Sequence, residues 1–134
     1  MPATGKGKAV AACGYLIPMV FHLPIISLVG LFFYKSIFKG KSMFQEHHLN
    51  ENINVQLSVH IYGLALAIFL LFLAKSPGMI LPGSSATLHG VAAFVLLGMV
   101  LVIYVAWWIG MVIAIIAALC GYHFKFPLTL RIFR

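Results

Sequence analysis

Aspartate is absent from this sequence, and its whole acidic complement is Glu46 and Glu51. Charged residues of both signs make up only 8% of the 134, against roughly a quarter in a soluble globular domain. So few charges cannot cover a water-facing surface. The scarcity of acids also removes paired-carboxylate chemistry. Glu46 and Glu51 stand off the i+4 register of one helix face, so each reads as solvated or capping charge. The only cysteines, Cys13 and Cys120, lie in or beside apolar runs, with no CxxC spacing, which argues against a disulfide framework or a thiolate metal site. Val10-Ala11-Ala12-Cys13 looks like a lipoprotein cleavage box, but it follows Lys6 and Lys8 directly and lacks the apolar stretch such a box requires. There is no phosphate loop and no Ser/His/Asp set in usable context. We therefore expect no enzymatic activity, no catalytic residue and no metal ligand.

What the chain does have is apolar length. Hydrophobic residues make up 63% of it, and they fall in runs bounded by lysine, proline and glycine. No charge interrupts the stretch from Ala9 to Tyr34, although Pro18 and Pro24 should bend or interrupt a helix there. A second apolar run ends at Lys75, and Ser76-Pro77-Gly78 with Pro82-Gly83-Ser84-Ser85 marks a loop. From Ala86 to Gly121 there is again no charge. One helix of that length would be about 50 Å long, well beyond a hydrocarbon core of about 30 Å, with Gly110 beside Trp107 and Trp108 as its weak point.

These runs predict an all-α polytopic membrane protein, a single transmembrane domain over residues 1–134. It would have about three transmembrane helices at about 9–34, 53–74 and 86–121, the third unusually long; splitting that one gives a four-span alternative. The net charge of +7 does not point to nucleic acid, because the basic residues sit at the ends of apolar runs, where membrane anchors and anionic-lipid contacts belong. Three spans put Lys6, Lys8 and Lys75 on one side, and Lys35, Lys39, Lys41, Lys125, Arg131 and Arg134 on the other. The positive-inside rule then makes the first loop and the C-terminus cytoplasmic.

One segment is polar where apolar residues are expected. His48, Asn52, Gln56 and His60 recur at i+4 and form one stripe on a helix. A polar group facing lipid costs several kcal/mol unless it is paired. The stripe should therefore face protein or water. With Phe44 and Asn54 it is the expected interface to neighbouring helices, its own or a partner's. His22 and His60 lie at matched depths, about 20 Å from the outer ends of their spans at 1.5 Å per residue. Opposed helices could bring both to a haem iron, or one to a chlorophyll magnesium. The expectation is that no cofactor is bound beyond structural lipids, with the tetrapyrrole as the alternative.

Two segments carry a family resemblance. Phe44, His48, Glu51, Ile53, Asn54, Val55 and Gln56 fit a signature of approximate form F-x-x-x-H-x-x-(Q/E)-x-L-N-F-Q. Ala118, Gly121, Phe124, Phe126, Pro127, Leu128, Leu130 and Arg131 fit A-x-x-G followed by Y-x-Y-P-L-x-I-R. With them the chain resembles a widespread bacterial family of small multi-span membrane proteins, distantly related to the small channel-type subunit of the chloroplast inner-envelope protein translocon. Val55 and Tyr122 depart from the pattern. The resemblance implies a helical membrane protein without catalysis, in a bacterial inner membrane. Three functions fit these readings. The first is a non-catalytic accessory or assembly subunit of a larger membrane complex, in contact with lipids and with other subunits or copies of itself. The second is an oligomeric translocation or channel component, and the third a haem- or chlorophyll-binding subunit of an energy-converting complex.

Overall fold

The computed structural model describes residues 4–21, 24–75, 86–127 and 129–133. These contain four helices and no strand: α1 (Gly5–Val20), α2 (Pro24–Phe38), α3 (Met43–Lys75) and α4 (Ala86–Cys120). Two of them, α3 and α4, are long and apolar enough to cross a membrane, over Met43–Phe72 and Ala93–Cys120.

The expected first span at 9–34 is instead two helices. Thr4 starts α1, its hydroxyl accepting from the Gly7 N–H at 3.1 Å, and Pro24 opens α2 at the first helical position, where its missing N–H costs nothing. Three contacts fix how the pair is arranged. The Tyr34 hydroxyl donates to the Val10 carbonyl at 3.0 Å, Tyr34 also lies against Gly14, and Ile17 lies against Gly30. Rising numbers on α1 meet falling numbers on α2, so the two form an antiparallel hairpin. Its apolarity over 26 residues is that of a span, but its path turns back. The structure therefore does not confirm the three-span arrangement, and Lys6 and Lys41, expected on opposite sides, line one pocket.

The chain divides into two compact units. One comprises Met1–His60 with Trp108–Arg134; the other is Ile61–Trp107. The first has a true interior, built on Tyr15, Leu31, Leu49, Ile53 and Met111, all essentially inaccessible. Helix α1 approaches closely because Gly14 has no side chain: a Cβ there would sit 2.8 Å from Leu49 Cδ2. Small residues at such crossings let backbones approach, which is how helices associate in lipid. The second unit is apolar and exposed, with Leu64, Ile68, Phe69, Phe94, Leu97 and Leu101 uncovered. In water such a surface would be an aggregation hazard; in hydrocarbon it is ordinary.

Helix α4 runs unbroken for 35 residues. It continues through Gly110, whose bare backbone seats the Phe126 ring: a Cβ there would lie 2.9 Å from Phe126 Cε1. It ends in a Schellman motif, with Tyr122 N–H bonded to the Ala117 carbonyl at 2.9 Å and Gly121 N–H to that of Ala118 at 3.1 Å. Gly121 has φ +86°, the left-handed conformation this cap requires. Lys8 adds a positive charge at the negative end of the helix dipole, its ammonium 3.4 Å from the Cys120 carbonyl.

Candidate functional site

Beyond Gly121 the described residues, 122–127 and 129–133, have no regular structure. Such a segment has backbone donors and acceptors with no ladder to satisfy them, and none can be left to hydrocarbon. The polar side chains of α3 take them up. His48 Nε2 lies 3.1 Å from the Tyr122 carbonyl and His47 Nε2 3.3 Å from that of Phe124. Carbonyls only accept, so both rings donate through Nε2. The neutral His48 ring then presents its Nδ1 lone pair, which accepts from the Tyr15 hydroxyl at 3.0 Å.

Asn54 acts as a substitute peptide group. Its Oδ1 accepts from the N–H groups of Ile132 at 3.1 Å and Phe133 at 2.9 Å, while Nδ2 donates to the Phe133 carbonyl at 2.8 Å. One turn further on, Ser58 Oγ accepts from the Leu130 N–H at 2.8 Å and donates to the Asn54 carbonyl at 2.7 Å. Moving along α3 from Asn54 to Ser58, the bound segment goes from 132–133 back to 130. The terminal stretch therefore turns, and a tight Ile132 N–H to Leu130 carbonyl bond closes that turn.

The stripe His48, Asn52, Gln56 and His60 is divided among different tasks. His48 and Asn52 are 0% and 1% exposed; Asn52 Nδ2 donates to the Gly14 carbonyl of α1 at 2.7 Å. Gln56 is buried, its carbonyl bonded to His60 Nδ1 on its own helix. That bond makes Nδ1 the donor, and the buried Nε2 has no hydrogen-bond partner. His22, the other residue weighed for a tetrapyrrole, lies outside the described residues. Phe44 packs on His48 and on His123, with ring centroids 4.6 and 5.3 Å apart.

Tyr15, His47, Ser58 and His123 join the site without being marked as site residues by the sequence. Ser58 has a signal, since it stands four residues after Asn54. His123 stacks on His48 at 13° and meets His47 at 4.8 Å between centroids, a grouping that no local pattern announces. Among the described residues no set of three or more His, Cys, Asp or Glu is arranged to hold a metal ion. The arrangement is a clamp. It holds an irregular backbone segment, contributed by residues 122–133, on one face of a helix contributed by residues 47–58.

The two signature segments, around Phe44–Gln56 and Ala118–Arg131, are thus the two halves of one packed structure. Comparison with protein families gives a match over residues 6–133 to a model described as the magnetosome magnetite crystal formation protein family. The match supports a family of small bacterial membrane proteins and lends nothing to the translocon relationship. Neither a search of curated proteins nor one of solved structures finds a match.

Proposed function

Since the chain belongs to the magnetosome magnetite crystal formation protein family, we propose that it serves crystal formation as a non-catalytic accessory or assembly subunit in the membrane that encloses the crystal. One observation carries this reading. The polar side chains that a hydrophobic chain retains at some cost, His47, His48, Asn52, Asn54 and Ser58, are engaged with the chain's own backbone. They build a small structured unit and leave no nucleophile–base pair among themselves. The exposed apolar faces of residues 61–72 and 91–105 supply the contact surface, to lipid and to neighbouring helices.

The hairpin supports a two-span orientation. With α1 and α2 entering the membrane and turning back, only α3 and α4 cross. Lys6, Lys8, Lys35, Lys39, Lys41, Lys125, Arg131 and Arg134 then share one side and Lys75 alone is on the other. This partition is more lopsided than that of three spans, and it makes the larger basic group cytoplasmic.

Cross-linking in native membranes followed by mass spectrometry tests the subunit reading. Cross-links from the 61–107 region to other membrane proteins or to a second copy are expected. A chain that gives only internal cross-links, in cells whose crystals depend on it, overturns the reading.

A further inference from the structure

Helices α1 and α3 begin side by side. Their first turns flank a pocket of about 180 Å³ lined by Thr4, Lys6, Gly7, Lys41, Ser42 and Gln45 among others. Thr4 and Ser42 are the capping residues, and each satisfies one first-turn donor: Gly7 N–H on Thr4 Oγ1 at 3.1 Å and Gln45 N–H on Ser42 Oγ at 3.4 Å. The other first-turn N–H groups, of Gly5, Lys6, Met43 and Phe44, have no acceptor within their helices. Two positive helix ends and two lysines therefore converge on one space.

Three details make this more than a pair of helix ends. Gln45 is only 5% exposed, and its Oε1 is buried without any hydrogen-bond partner. Its Nε2 stands beside Gly7, which also lines the pocket, and carries the two N–H donors of the carboxamide. Gly7 leaves the cradle open: a Cβ there would stand 3.1 Å from Thr4 Oγ1 and 3.6 Å from Gln45 Nε2. The Lys41 ammonium lies 5.0 Å above the Phe38 ring, which fixes its position without neutralising it. The acid of the α3 first turn, Glu46, is not among the residues lining the pocket.

We propose that this pocket binds a phosphate group. Two helix N-termini, two ammonium groups and a glutamine amide suit a tetrahedral anion with several acceptor oxygens, more than a planar carboxylate that two donors would saturate. The group can come from the headgroup of an anionic phospholipid or from free phosphate, and the chemistry of recognition is the same.

Native mass spectrometry of the full-length protein released from detergent separates the sources. With added phosphatidylglycerol, the wild type is expected to retain one lipid that millimolar inorganic phosphate displaces. Binding of inorganic phosphate with no lipid retained would also support the site and assign it to the free ion. Lys6→Gln with Lys41→Gln should weaken binding of whichever probe is held about thirtyfold, which is roughly 1 kcal/mol per lysine. Gln45→Leu should weaken it severalfold at unchanged helical content by circular dichroism. Lys39→Gln, outside the pocket, should change it less than about twofold. Failure of both probes to bind, or a loss with Lys39→Gln as large as with the double variant, overturns the proposal.

Discussion

Asn52 supplies what Pro18 cannot. In an unbroken helix the Gly14 carbonyl would accept from the N–H four residues on, but that residue is Pro18, inside α1 and without an N–H. Asn52 Nδ2 occupies the vacant position at 2.7 Å. A kink-prone helix is thus stitched to α3 at the point where its own ladder fails.

The stitch predicts a coupled pair. Asn52→Ala should destabilise the protein by about 1–3 kcal/mol, the cost of an orphaned buried acceptor. In a Pro18→Ala background the helix regains its donor, and the same substitution should cost less than about 1 kcal/mol. Thermal unfolding in detergent, followed by far-ultraviolet circular dichroism, measures the four proteins of the cycle. Equal losses in both backgrounds would show that Asn52 does not substitute for the proline.

Two glycines with positive φ should respond differently to alanine. A methyl group added at Gly40 (φ +75°) would meet nothing within 4 Å, so Gly40→Ala should cost only the backbone term, about 1–2 kcal/mol. Gly121→Ala has the same backbone cost and also drives a methyl to 2.8 Å from Lys8 Cε. The lysine must swing away and release the Cys120 carbonyl, adding up to about 1 kcal/mol. In the Gly121→Ala protein, Lys8→Gln should then lower the melting temperature no further.

The clamp on the terminal segment should come apart locally. Asn54→Leu is expected to accelerate amide exchange at Ile132 and Phe133, and Ser58→Ala at Leu130, each roughly fivefold for a bond worth about 1 kcal/mol. Site-resolved exchange by nuclear magnetic resonance in micelles reads both. A uniform rise over the whole segment from either substitution would mean that residues 130–133 open as one piece.

Topology has a direct test in a background lacking Cys13 and Cys120. Cysteines placed at Lys6, Lys41 and Lys125 should all be labelled from one side of sealed vesicles, and a cysteine at Lys75 only from the other. Labelling of Lys6 and Lys41 from opposite sides would restore a crossing first segment.

Much of the helical content is legible from charge alone. The uncharged stretch from Ala86 to Gly121 is α4 almost to the residue, and the stripe from His48 stands out as a set of polar groups that lipid cannot serve. The hairpin is not legible. Pro18 and Pro24 announce a break, but the sequence between Ala9 and Tyr34 is as apolar for a chain that turns back as for one that crosses. The targets of the polar side chains are hidden for a different reason. His47, His48, Asn54 and Ser58 bond to carbonyls and amides of residues 122–133, and every residue but proline carries that same pair of groups. A backbone partner leaves no mark on the side chains that a pattern could find.

The unit that holds the clamp is assembled from Met1–His60 and Trp108–Arg134, with Ile61–Trp107 between them in the chain, and this dictates an order of events during synthesis. When α3 leaves the ribosome, the Asn54 amide has none of its partners and Ser58 has only the Asn54 carbonyl, because Leu130 is made 72 residues after Ser58 and Phe133 79 residues after Asn54. The nascent protein must carry those polar groups incompletely served over that interval, exposed to a translocon, a chaperone or headgroup water. Completion is then a single late event, the docking of residues 122–133. Any truncation or pause that withholds those residues acts on the folding of the amino-terminal half.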